Sequence, residues 1–315
     1  MPQAYDSHAL DSRTPAADAA TRAQRVVFWS VMTIAYFGTG LLGAGFVRHQ
    51  LELGITVNVW NRSAAKARAL VADGATFCED PSMAIEGVDQ LHLTLSDDAS
   101  VDAVLEPLSL GFPASITIVD HTTTAPTPTA ERIARWKNRG VRFIHAPVFM
   151  GPANTREGTG IMMVSCPQSD YQQIRPFLEA MTGKLIYLGD DPIRAAAFKL
   201  FGNMFIVTLN TGLADIKRLG GSLGIAPEDA FGVFDFFNPA TTVAPRAKKI
   251  AAGDFTATWE LTMARKDTRL MIEEAQRHGV TLALLPAIAA AFDDAIKRGY
   301  GSLDSTAVAK LDGRA

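Results

Sequence analysis

The stretch Met32-Thr33-Ile34-Ala35-Tyr36-Phe37-Gly38-Thr39-Gly40-Leu41-Leu42-Gly43 decides the fold. Its first half is rich in residues that suit a buried strand, and its second half spaces three glycines as G-x-G-x-x-G. The pattern alone is weak evidence in a chain with 25 glycines. Context gives it weight: a strand precedes it and a helical stretch follows, so the glycines serve a tight turn and let a pyrophosphate approach the unpaired N–H groups of the helix start. The run sits inside an uncharged segment, Val26 to Val47, flanked by Arg25 and Arg48, which imitates a membrane span. Gly38, Gly40, Gly43 and Gly45 crowd its second half, and strand, glycine turn, helix is the simpler parse.

Outward from this turn, short apolar runs alternate with helical patterns: Thr56 to Trp60, Gln90 to Leu95, Ile116 to Val119 and Val141 to Ile144. Such alternation predicts an α/β fold with a doubly wound parallel sheet of Rossmann type. Gly160 to Val164 and Leu185 to Leu188 are expected to extend that sheet. From about Pro192 the pattern turns wholly helical, which predicts an all-helical C-terminal domain. Residues 1–31 lack apolar periodicity and are expected to form a flexible N-terminal extension. The division is therefore 1–31, a nucleotide-binding domain over 32–191 and a helical substrate or dimerisation domain over 192–315.

Composition narrows the partners. A length of 315 residues suits two domains, and 48% hydrophobic with 20% charged residues suits a packed core. A net charge of -3 gives no reason to expect nucleic acid or an anionic membrane, so a small molecule is the expected partner. Two cysteines, Cys78 and Cys166, are too few for a disulfide framework, which fits a reducing, cytoplasmic setting. The six histidines show no paired spacing on one element, and no metal site is expected.

The end of the second strand indicates which dinucleotide is bound. Where an acidic residue would accept ribose hydroxyls, the chain reads Trp60-Asn61-Arg62-Ser63, with Lys66 a turn further on. A carboxylate would repel a 2′-phosphate, whereas Arg62 can hold one by paired charge-assisted hydrogen bonds. NADP(H) is the expected cofactor, with Gly38, Gly40, Leu41, Leu42, Gly43, Asn61, Arg62, Ser63 and Lys66 as its binding residues. Further along, Ala195 to Leu209 carries only Lys199, Asn203 and Thr208 as polar residues, so this helix is expected to be buried. Lys199, Asn203 and Asn210 fall near one stripe of it, and a lysine there needs a partner or a wet crevice between the domains.

These spaced motifs resemble the β-hydroxyacid dehydrogenases, the family of 3-hydroxyisobutyrate dehydrogenase and tartronate semialdehyde reductase, related to 6-phosphogluconate dehydrogenase. The likeness runs from about Met32 to Leu311. Its D-x-S-T-x-x-P segment stands here as Asp120-His121-Thr122-Thr123-Thr124-Ala125-Pro126, with Thr122 in place of serine. The resemblance implies that Thr122 and Thr123 bind substrate, that Lys199 is the catalytic acid/base with Asn203 orienting the substrate oxygen, and that Lys266, in the pair Lys266-Asp267, approaches the cofactor. It also implies an enzyme that interconverts a hydroxy acid and its aldehyde or keto form, as a homodimer or homotetramer assembled through the helical domain.

One loop departs from the family. Where relatives read D-A-P-V-S-G-G-x-x-G-A, this chain reads His145-Ala146-Pro147-Val148-Phe149-Met150-Gly151-Pro152-Ala153-Asn154-Thr155. Phe149 and Met150 replace a hydroxyl donor and a glycine by two bulky apolar groups, so Phe149, Met150 and Gly151 are expected to frame a bulkier or more apolar substrate. Imine reductases, relatives with apolar pockets that reduce C=N bonds, are the alternative. They typically lack the lysine at this position, so Lys199 favours carbonyl chemistry. A cofactor-binding protein without catalysis is the third reading.

Overall fold

The computed structural model describes residues 32–113 and 115–312. The expected extension over residues 1–31 lies outside them.

Strand β1 (Thr33–Phe37) runs into the glycine turn and helix α1 (Leu41–Glu52). There follow β2 (Thr56–Trp60), α2 (Ala64–Arg68), β3 (Thr76–Phe77), α3 (Pro81–Ala84), β4 (Gln90–Leu93), α4 (Asp98–Leu105), β5 (Thr117–Asp120), α5 (Pro126–Asn138) and β6 (Arg142–His145). The six strands form one sheet in the order β3-β2-β1-β4-β5-β6, every pair parallel. This is the expected α/β fold. Successive residues of a strand face opposite sides of a sheet, and β1 shows the result. Ile34 and Tyr36 join one core with Phe46 and Val47 of α1, whereas Ala35 and Phe37 join the other with Val101 and Leu105 of α4 and Trp136 of α5. Burial on both faces is why the central strands read as continuous apolar runs.

The two later runs do not extend that sheet. Beyond β6 come β7 (Val148–Phe149), α6 (Pro152–Glu157), β8 (Ile161–Val164), α7 (Gln168–Ala180) and β9 (Lys184–Tyr187). β7, β8 and β9 make a separate three-stranded sheet in which β7 is antiparallel to β8. The physical cause lies at Pro147, which has no N–H to continue the β6 ladder. Its carbonyl instead accepts from Met163 N, and the isolated bridge His145–Ser165 links β6 to the chain after β8.

Helix α8 (Arg194–Ser222) follows, then α9 (Pro227–Phe231), α10 (Val243–Ala251), α11 (Leu261–Arg277) and α12 (Leu285–Ala295), so the C-terminal part is helical as expected. The chain divides into two compact units between Gly202 and Asn203, inside α8 rather than at residue 192. The reason is local: Ala195 and Ala196 are fully buried, and Ala195 packs with Met163 and Leu188 of the first unit. The expectation that the whole apolar stretch is buried needs correction. Phe201, Met204, Phe205 and Val207 are each more than half exposed in the single chain. Of the four phenylalanines Phe231, Phe234, Phe236 and Phe237, Phe236 is 84% exposed, and Phe231 and Phe234 are half-buried. Within the second unit two buried aspartates act as staples. Asp215 accepts from Ala283 N (2.7 Å) and Leu284 N (2.8 Å), and Asp304 from Thr258 and Thr306 through both backbone and hydroxyl donors. Among the described residues no helix is long and apolar enough to cross a membrane.

Candidate functional site

In the order β3-β2-β1-β4-β5-β6 the connections diverge between β1 and β4, which opens a crevice at the carboxyl ends of these strands. A cavity of about 420 Å³ lies there, walled by Gly38, Gly40, Asn61, Arg62, Ser63 and Lys66 on one side and by Thr94, Leu95, Ser96 and Val104 on the other. The first set holds six of the residues singled out in the sequence, and Gly43 lies behind the turn. The wall after β4 was missed, because Thr94-Leu95-Ser96 carries no motif.

The three glycines do three different things. Gly38 has φ +89°, and a Cβ there would lie 2.1 Å from the Thr94 carbonyl oxygen. At Gly43 a Cβ would lie 1.9 Å from the Gly38 carbonyl oxygen, so only glycine lets α1 seat on the turn. Gly40 is different: a Cβ there would meet nothing within 4 Å. It is the N-cap of α1, with no side-chain cap and no acidic residue in the first turn. Bare helix N–H groups facing open space make an anion cradle. The Thr39 hydroxyl is buried with no partner among the described residues. An open cradle and an orphaned hydroxyl beside it fit a bound dinucleotide phosphate. Leu41 is exposed at the cradle's rim and Leu42 half-buried behind it.

Asn61 occupies the place of the ribose-binding carboxylate and is held by the turn itself. Its Oδ1 accepts from Thr39 N (3.1 Å) and its Nδ2 donates to the Ser63 carbonyl (2.9 Å). Arg62, Ser63 and Lys66 are exposed at the cavity edge, and neither cation has an ion-pair partner within 4 Å among the described residues. Arg62 also acts at longer range on Asp97, whose carboxyl is held below the usual range first by hydrogen bonds from Ser100 and then by this charge.

The loop after β5 separates its two threonines. Thr122 is buried, its hydroxyl accepting from Leu95 N (2.9 Å) while its own N–H donates to Asp120 (2.9 Å). It ties the ends of β4 and β5 together. Thr123 is exposed with its hydroxyl free of any partner among the described residues. The helix behind the loop is anchored by a ladder of charges. Asp98, Asp102 and Glu106 of the α4 segment face Arg132, Arg135 and Arg139 of the α5 segment, and Asp98 also accepts from Ala125 N at the start of α5.

His121 and His145, which flank this loop and the next, are buried core residues. His92 and His121 lie 3.0 Å apart, with Gln90 and the Ala146 carbonyl at the two ends of the chain of hydrogen bonds. Burial pushes both imidazoles down, His121 to about 4, so both are neutral at pH 7. His145 faces the Asp120 carboxylate at 3.5 Å. Among the described residues no three metal-ligating groups cluster.

The altered loop turns its two bulky residues in different directions. Met150 packs on the core beside α1 and lies over Gly160, where a Cβ would meet its Cγ at 2.8 Å. Phe149 lies against α8: the Lys199 Nζ stands 4.3 Å above its ring, and a Cβ at Gly202 would lie 2.2 Å from its Cζ. Gly151, whose N–H would be available in the family's loop, donates it to Asn154 Oδ1 at 2.9 Å. Lys199 is half-buried and has no carboxylate partner among the described residues, and burial holds its amine below the ordinary lysine range. Gly202 was missed in the sequence, although a glycine inside an apolar helix is itself a sign of close packing. Asn203 follows Lys199 by one turn and is half-buried. In the second unit Lys266 is exposed and pairs with its neighbour Asp267 at 2.8 Å. Asp304 is the buried staple described above.

Residues 33–189 match the model of the NAD binding domain of 6-phosphogluconate dehydrogenase. The 2-(hydroxymethyl)glutarate dehydrogenase of Eubacterium barkeri is 25% identical over 283 residues, covering 88% of this chain and 94% of that protein. Among solved structures, an imine reductase from Pseudomonas sp. has a TM-score of 0.82 at 22% identity, covering 89% of this chain and 98% of that one. A reductive aminase from Aspergillus terreus, solved in complex with NADPH and ethyl levulinate, has a TM-score of 0.82 at 24% identity, covering 89% and 99%. At such identities the structural likeness concerns the fold. With the glycine turn, the Thr122 loop and Lys199 in sequence order, the family match leads to one conclusion: the chain belongs to the β-hydroxyacid dehydrogenases, oxidoreductases built on a nicotinamide-dinucleotide-binding domain.

Proposed function

We propose that the chain is an NADP(H)-dependent oxidoreductase that interconverts a hydroxyl and a carbonyl group, in the manner of a hydroxy acid and its aldehyde or keto form, on a substrate bulkier or more apolar than a small hydroxy acid. Lys199 carries the reading. A lysine amine drawn partly out of water, free of carboxylate partners among the described residues and shifted toward neutrality, is suited to give and take a proton. When bound, the dinucleotide supplies or accepts a hydride. In reduction the Lys199 ammonium gives its proton to the carbonyl oxygen as charge develops there, and water restores it. In oxidation the neutral amine takes the hydroxyl proton. Asn203 orients the oxygen, Thr123 offers a free hydroxyl to the substrate, and Thr122 holds the loop that presents it.

Arg62 and Lys66, two cations at the rim beside Asn61 with no ion-pair partner among the described residues, support a 2′-phosphate and thus NADP(H). That a solved structural neighbour was in complex with NADPH agrees with this choice. The apolar Phe149 ring favours a second reading, C=N reduction; Lys199 stands against it, because imine reductases typically lack a lysine at this position. Absorbance at 340 nm with NADPH and NADH, against semialdehydes, ketones and cyclic imines, tests both. The proposal expects turnover of carbonyl compounds with NADPH preferred; turnover confined to imines would overturn it.

A further inference from the structure

We propose that Phe149 and Gly202 form a size-matched pair that fixes an aromatic ring under the Lys199 ammonium, and that this ring selects a carbonyl substrate with an uncharged, apolar neighbour over one carrying a carboxylate at that position. The proposal rests on the reading of Lys199 as proton donor.

The packing is unambiguous. Phe149, on the two-residue strand β7, reaches α8 where Gly202 has no side chain, and any Cβ at 202 would overlap the ring. A glycine inside a helix is disfavoured relative to alanine by its backbone freedom. Close approach of the ring explains why glycine is found there. The ring also rests on Met163, Leu188 and Ala195, so it is held on several sides. Lys199 lies three residues before Gly202, on the same side of the helix, with Nζ 4.3 Å from the ring centroid.

The consequence for substrate follows from the donors that are missing. The aromatic ring replaces a hydroxyl that would donate to a carboxylate oxygen, and the Gly151 N–H is spent on Asn154 at 2.9 Å. The Lys199 charge is already balanced in part by the π face. A carboxylate brought to this loop would lose water and gain no hydrogen bond from Phe149 or Gly151, which is costly for an ion. An ester, alkyl or aryl group at the same place would instead gain apolar contact.

Levulinate and ethyl levulinate share one ketone and differ in whether the carboxyl group is charged or capped by an ethyl ester. The wild-type protein with NADPH is expected to favour the ester in kcat/KM, or in inhibition constant for a compound that binds without turnover. Phe149→Ser is expected to move the ratio toward the acid by about tenfold or more. An unchanged ratio in Phe149→Ser, with Lys199→Ala inactive, would overturn the inference and leave the catalytic reading standing; an active Lys199→Ala overturns that reading. Two measurements are independent of turnover. After reductive ¹³C-methylation, the Lys199 resonance, assigned by its loss in Lys199→Ala, is expected upfield of the other lysines in the NADPH-bound protein and is expected to return among them in Phe149→Leu. Gly202→Ala is expected to lower Tm in the Phe149 protein yet not in the Phe149→Ser protein. A Lys199 signal in the ordinary position, or an equal Tm effect in both backgrounds, contradicts the pair.

Discussion

At the residue scale, the cofactor choice turns on Arg62. Its guanidinium has no ion-pair partner among the described residues, so its removal disturbs little of the fold and takes away the proposed 2′-phosphate contact. Arg62→Ala is expected to raise KM for NADPH by about ten- to a hundredfold while leaving KM for NADH within about twofold, read from initial rates with both cofactors. An unchanged preference would remove the assignment. Positions of this kind were legible in the sequence because the motif fixes their place: Gly38, Gly40, Asn61 and Arg62 stand at the cavity the strand order creates, and Gly43 packs behind the turn. Gly202 and the Thr94–Ser96 wall were not, because each is defined by what a distant part of the chain brings against it. Thr122 was legible as a loop residue, yet its bond to Leu95 N, twenty-seven residues away, cannot be read from spacing.

At the scale of elements, the alternation of apolar runs and helices was enough to order the parallel sheet, since each central strand is buried on both faces. The same reasoning misassigned β8 and β9 to that sheet, because periodicity says that a strand forms and not which edge it joins. Proline at 147 was the signal that the ladder ends. The α4–α5 charge ladder was also present as acidic residues at four-residue spacing facing basic ones, a pattern that becomes readable only once the two helices are known to be neighbours. In the second unit, element packing depends on Asp304. Burial alone would raise its carboxyl, but the donors of Thr258 and Thr306 outweigh this and hold it far below the ordinary carboxylate range. A carboxylate with a depressed folded pKa adds stability that is present above the unfolded pKa of about 4 and is lost as pH falls toward the folded value. Asp304→Asn is therefore expected to cost about 2 to 3 kcal/mol at pH 7, and to flatten the loss of stability below pH 4, as measured by urea unfolding at several pH values. Equal pH slopes for the two proteins would refute the staple.

At the scale of the whole molecule, composition promised a buried apolar helix, and the single chain leaves much of it bare. Phe205, Val207, Phe236 and Phe237 are each more than half exposed within the second unit. A surface of this kind is covered in a stable soluble protein, and a second copy of the chain is the proposed cover, giving a homodimer or homotetramer. Light scattering after size exclusion is expected to return at least twice the chain mass at micromolar concentration, and Phe205→Asp to lower it; a folded wild-type monomer would contradict the assembly. The central claim, however, is chemical: NADPH-dependent carbonyl reduction with Lys199 as the proton donor. The most direct measurement is single-turnover reduction of a carbonyl substrate by the Lys199→Ala protein with NADPH bound. The rate is expected to fall by about a hundred- to ten-thousandfold, with the NADPH dissociation constant within about twofold of wild type. Near-wild-type reduction by that variant would contradict it.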